Sequence, residues 1–147
     1  MRKLHIILAA IAVLAFWMFP SCEKEGGNVT NISQPGGHSP NAGATYLTCH
    51  SSGGEGKGWF VAAGTVYNSS ISATYPNTVV NLYTQPNGGG DLKATLYGDS
   101  RGNFFTTAGI DFSAGLYPSV TGTTGITHYM TEPITQGACN SCHGVSQ

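Results

Sequence analysis

The chain has 147 residues, of which only 9% are charged, and a formal net charge of −1. This is one domain's worth of sequence, and without a basic run or patch it excludes a nucleic-acid surface. The 21 glycines and abundant Ser, Thr, Asn and Tyr fit an exported, loop-rich β-protein with short strands.

Arg2 and Lys3 form a basic start, and Leu4 to Phe19 is apolar except for His5. That run is short for a membrane span and ends at Pro20-Ser21, so residues 1–21 read as a secretory signal. Cys22 follows at once, in the place of the lipidated cysteine of bacterial lipoproteins, which this segment resembles. Phe19-Pro20 stand where a stricter signal has an aliphatic and a small residue. Ordinary cleavage nearby, with Cys22 left as a spare thiol, is the other reading. The expectation is an exported protein of the bacterial cell envelope, lipid-anchored on the periplasmic or cell-surface side.

Beyond the signal, four Lys and Arg stand against seven Asp and Glu. Residues 22–41 carry Gly26-Gly27, Pro35-Gly36-Gly37 and Ser39-Pro40 and read as a flexible tether. His38 falls within it and is expected to be solvated. The domain proper is then 42–147. Its first notable string is Tyr46-Leu47-Thr48-Cys49-His50.

Strand signals follow. Phe60 to Tyr67 comes first, then Thr78 to Thr84, a turn over Pro86 to Gly90, and a return strand from Leu92 to Tyr97. Gly98 to Gly102 is a second turn leading into Asn103 to Thr107. Leu116 to Thr121 and Thr124 to Met130 complete the series around Gly122-Thr123. No segment sustains a helical period, so helix is expected only as single turns near the two Cys-His dipeptides. The rhythm predicts an all-β sandwich.

The chain closes on Cys139-Asn140-Ser141-Cys142-His143, the CxxCH string of c-type haem attachment. Thiols three residues apart share one face of a helical turn. Each is placed to form a thioether with one haem vinyl, and His143 follows as the proximal iron ligand. A surface disulfide or part of a zinc site are the bland alternatives; zinc takes four ligands, usually from paired motifs.

Two resemblances rest on these strings. Ala63-Gly64-Thr65-Val66-Tyr67, Tyr75 to Leu82 (YPNTVVNL) and Asp99 to Phe104 (DSRGNF) are similar to carboxypeptidase-regulatory-like domains. That implies an immunoglobulin/transthyretin-like β-sandwich over residues 60–130 and no catalytic activity. The whole chain also resembles small exported multihaem-type cytochromes, in which a Cys-His motif precedes such a domain and CNSCHG closes it. Tyr46 stands where the first cysteine of a leading CxxCH would be.

Setting Cys22 aside leaves Cys49, Cys139 and Cys142, an odd number that cannot close into intramolecular disulfides alone. Cys49 is then a single thioether to a second haem headed by His50, a relic thiol beside the haem, or an intermolecular disulfide. For the sixth iron ligand, His50 is preferred because chain ends often meet. Met130 is next, with a gap-filling core role as its plainer reading. His128 shares a strand face with Met130 and is expected to be an ordinary exposed histidine. Trp59, Phe60 and Tyr46 are weaker candidates for a haem wall.

The expected function is electron transfer by one haem c, or two if Cys49 attaches a second. A redox partner protein or an extracellular electron acceptor takes the electron. No paired-carboxylate or Ser/His/Asp constellation argues for an enzyme. The competing expectation is a cell-surface binding or structural β-sandwich lipoprotein whose CxxC is a disulfide.

Overall fold

The computed structural model describes residues 32–37, 42–54, 56 and 58–143, excluding the His143 side chain. The expected signal over residues 1–21, Cys22 and His38 lie outside the described residues. Two short helices and seven strands follow one another: α1 (Tyr46–Cys49), β1 (Ala62–Thr65), β2 (Val79–Tyr83), β3 (Leu92–Tyr97), β4 (Asn103–Thr106), β5 (Tyr117–Thr121), β6 (Thr127–Tyr129), β7 (Gly137–Ala138) and α2 (Asn140–His143). They form an all-β sandwich of a three-stranded sheet, β4-β1-β7, and a four-stranded sheet, β3-β2-β5-β6.

Alternation explains the layers. Val80 and Leu82 on β2 and Leu96 on β3 meet Ala62 of β1 and Phe104 of β4 between the sheets, with Leu116 beside them. Val79, Asn81 and Tyr83 point the other way and are half-buried. All pairings are antiparallel except β1 with β7, which run parallel. Both single-turn helices fall at the Cys-His dipeptides, as expected, and Pro86–Gly88 forms a 3-10 turn within the expected β2–β3 turn.

The Asp99-to-Phe104 string folds as its residues require. Asp99 Oδ1 accepts from the N–H groups of Arg101 at 2.8 Å and Asn103 at 2.9 Å. Gly102 takes a φ of +80°, where a Cβ would lie 2.9 Å from the Val66 carbonyl oxygen. Phe104 then enters the core at 5% exposure.

Two features depart from expectation. Residues 32–37 fall within the expected tether, yet Ile32 bridges Thr106 and Ser33 is buried at 4% exposure. The Ser33 hydroxyl accepts from Phe105 N–H at 2.9 Å. A β-branched residue and a hydroxyl are enough to extend the edge of β4, so residues 32–37 are not a free tether. The second departure is β7. A Gly-Ala pair carries no alternating pattern, and its strand is set by the parallel partner alone. A Cβ on Gly137 would sit 2.1 Å from the Val61 carbonyl oxygen, so only glycine permits this approach.

Candidate functional site

β7 delivers the CxxCH string to the sandwich. Ala62 pairs with Gly137 and Ala63 with Ala138, and Cys139 N–H donates to Ala63 O at 3.1 Å. The chain then turns into α2, and on that side β1 runs on without a strand partner, while β4 stays paired on the other. Asn140 takes over there: its Oδ1 accepts from Thr65 N–H at 2.8 Å, and its Nδ2 donates to Ala44 O at 3.5 Å. Thr65 Oγ1 in turn accepts from Gly43 N–H at 2.9 Å and donates to Asn103 Oδ1 at 2.7 Å. One polar network thus joins the segment before α1, the end of β1 and the start of α2. Asn140 is 8% exposed.

The two cysteines of the string differ. Cys139 is half-buried against the core, and Cys142 is exposed. Burial pushes the Cys139 thiol up to about 11 from 9.0, with the neighbouring Cys142 adding to the rise and a backbone hydrogen bond opposing it. Cys49, Cys139 and Cys142 are all free thiols. Among the described residues no three His, Cys, Asp or Glu side chains cluster as a metal site.

Both cysteines open on a cavity of about 480 Å³ at the edge of the sandwich, where β7 stops after two residues. Its wall is mainly apolar and includes Val80, Phe104, Val120 and Ile134. Residues 130–136 carry the chain from β6 to β7 past this cavity, tied by Leu116 and Ile134, which exchange hydrogen bonds of 2.9 and 2.8 Å. Met130 and His128 also line it. His128 pairs with Val120, and Met130 N–H donates to Pro118 O at 2.9 Å, so both continue the core-facing side of the four-stranded sheet. Met130 is half-buried and His128 exposed.

The other Cys-His dipeptide lies elsewhere. Phe105 and Ala63 pair on the face of the three-stranded sheet opposite to Phe104. The Phe105 ring stacks on Phe60 at 4.5 Å, and Phe60 stacks on His50 at 3.9 Å with the planes 4° apart. His50 Nδ1 lies 3.2 Å from Gly58 O. Cys139 is on the core side of this sheet and His50 on its outer side, so the chain ends meet through Ala44 and Asn140 but not through His50. Cys49 is exposed at the end of α1. Trp59 is 57% exposed, and Tyr46 is half-buried beside Thr65, its hydroxyl pushed above its ordinary value mainly by burial. None of Tyr46, Cys49, His50, Trp59 and Phe60 lines the cavity.

Asn140 and the apolar wall are absent from the sequence expectations. A buried Asn inside CxxCH is readable only once β7 is known, because its partner is a β1 amide. Comparison with protein-family models, curated proteins and solved structures returned no match.

Proposed function

We propose that this protein is an exported, lipid-anchored c-type haem protein that carries electrons and catalyses no substrate reaction. One observation carries the reading: two free thiols, three residues apart, both border a mainly apolar cavity at the edge of the sandwich. The residues present fit the group. The cavity lies in the range of cofactor sites, a few hundred Å³ with mainly apolar walls. Cys139 and Cys142 would attach the group, and His143 and Met130 would hold its iron. Met130 is preferred over His50 because it shares the cavity with the thiols, whereas His50 stacks on the far face of the three-stranded sheet.

When bound, haem supplies one-electron oxidation and reduction at its iron. The chain's own part is to hold and shield it. Phe104, Val80 and Val120 line the cavity and would keep water from a group held there, which would favour its less charged state. Asn140 fixes α2 to β1 and so fixes the direction of both thiols. Cys22 ties the chain to the envelope membrane, where a partner protein or an external acceptor exchanges the electron. The sandwich is of the transthyretin-like type, and Cys49 attaches nothing, so one haem is carried per chain.

A visible spectrum of the purified full-length protein tests this. We expect a Soret band that stays with the polypeptide through acid-acetone extraction. A colourless protein whose Cys139 and Cys142 form a disulfide overturns the reading and favours a cell-surface binding or structural lipoprotein.

A further inference from the structure

The outer face of the four-stranded sheet carries a second set of side chains, of which Ser119 and Tyr129 also border the cavity. Alternation turns Asn81 and Tyr83 of β2 away from the core residues Val80 and Leu82. The register adds Tyr97 beside Val79, Tyr117 beside Tyr83, and Ser119 beside Asn81 with Tyr129 on its other flank. Tyr97 and Tyr129 are 36% and 46% exposed. Between the rings lie hydrogen-bonding groups. Thr95 Oγ1 donates to Asn81 Oδ1 at 2.7 Å, and Asn81 Nδ2 donates to the Tyr83 hydroxyl at 3.4 Å. Ser119 is 2% exposed, and its hydroxyl has no hydrogen-bond partner among the described residues. Lys93 and Asp91, the charges at this face, pair with each other at 3.0 Å.

We propose that this face binds a neutral oligosaccharide. A sugar ring has a C–H side that lies on an aromatic face and hydroxyls around its rim. Tyrosine offers a flat apolar body with a polar tip, and loses little entropy on binding. Asn81 and the tyrosine hydroxyls supply the directional bonds. The charges of the described residues at this face pair with each other, which is why a neutral glycan fits better than a phosphate or a nucleic acid. Tyr83 and Tyr97 stand four residues apart along the strand direction, about 13 Å, room for several sugar units. The β2–β3 turn closes on Tyr129 at Gly88, where a Cβ would lie 3.0 Å from the ring, so this ring is held before a ligand arrives.

Titration calorimetry of the full chain with maltohexaose, cellohexaose, xylohexaose and mannohexaose tests the proposal. At least one of the four should bind, and raised salt should not weaken it. Tyr97→Ala and Tyr129→Ala should each weaken binding about tenfold. Tyr97→Phe and Tyr129→Phe should weaken it less, since the ring remains. Unchanged thermal unfolding of these variants separates lost contact from lost fold. The proposal is overturned if none of the four binds, or if the alanine variants bind like wild type. It is equally overturned if the variants abolish only self-association, which makes the face an interface between copies.

Discussion

The two Cys-His turns of this molecule are near twins in sequence and opposites in setting. Tyr46–Cys49 and Asn140–His143 are each four residues long, and both pack against β1. The first leaves Cys49 exposed and sends His50 into a stack with Phe60 and Phe105. The second also leaves its own Cys142 exposed, but it follows Cys139, which packs against the core, and both cysteines border a cavity. Local sequence makes the turn in both cases. Which side of the three-stranded sheet the turn reaches decides what its thiol and imidazole can do.

The largest test removes the thiols in turn. Cys139→Ser and Cys142→Ser should each break covalent attachment, read by denaturing mass spectrometry as loss of some or all of the haem increment. Cys49→Ser should leave one haem per chain, as in wild type. A ratio of two haems in wild type falling to one in Cys49→Ser would erase the contrast between the turns. The pair within CxxCH should also separate in stability. Cys139→Ser puts a hydroxyl against the core at a cost of about 1–3 kcal/mol, while exposed Cys142→Ser stays within about 0.5 kcal/mol.

Alkaline pH sharpens the same contrast in haem-free protein. The Cys139 thiol titrates near 11 in the folded chain against 9.0 ordinarily. Between those values the folded state holds a proton that the unfolded state has released, so stability falls as pH rises from about 9 to 11. The full loss is about 3 kcal/mol. Chemical denaturation across this range should show it, and Cys139→Ala should flatten the Cys139 part of the slope. At pH 8, Cys142 and Cys49 should react with iodoacetamide before Cys139; equal rates for all three would contradict the buried setting.

Asn140 tests what holds the second turn in place. Asn140→Ala leaves the Thr65 N–H without its 2.8 Å acceptor in a buried position. That costs about 1–3 kcal/mol, read as a lower thermal midpoint, and haem incorporation should fall with it. Asn140→Asp keeps an acceptor oxygen and should recover most of the loss. If Asn140→Ala unfolds like wild type, the β1 contact does not position the turn.

How much of this was legible in the chain follows from how local each signal is. β3 matches its expected bounds of Leu92 to Tyr97, because its alternation and both flanking turns are written in consecutive residues. The expected strands at Phe60 to Tyr67 and Thr124 to Met130 shorten to Ala62–Thr65 and Thr127–Tyr129 as their ends join loops. β7 left no trace, since Gly137-Ala138 has no pattern apart from its partner. The cavity was illegible for the same reason: it exists because β7 ends while β1 continues. CxxCH could be read as a string, but the wall of Val80, Phe104 and Val120 needed the register of both sheets. The sides taken by His50 and Met130 are likewise tertiary facts; nothing within three residues of either states them.

The smallest expected effect belongs to His50, and it discriminates most finely between the turns. Removing the imidazole in His50→Ala loses one stacked ring pair, Phe60 with His50 at 3.9 Å, and should cost about 0.5–1.5 kcal/mol of stability. Its effect on the iron should be nil, because the ring lies across the three-stranded sheet from Cys139. Oxidised wild type should show a weak far-red band from methionine sulfur to iron. That band should persist in His50→Ala and vanish in Met130→Leu, with the thioethers intact in both. The reverse pattern, no sulfur band in wild type and a changed spin state in His50→Ala, would make His50 the sixth ligand. It would require the first turn to leave the Phe60–Phe105 stack and reach the cavity side, and the opposition between the two turns would then describe only the haem-free chain.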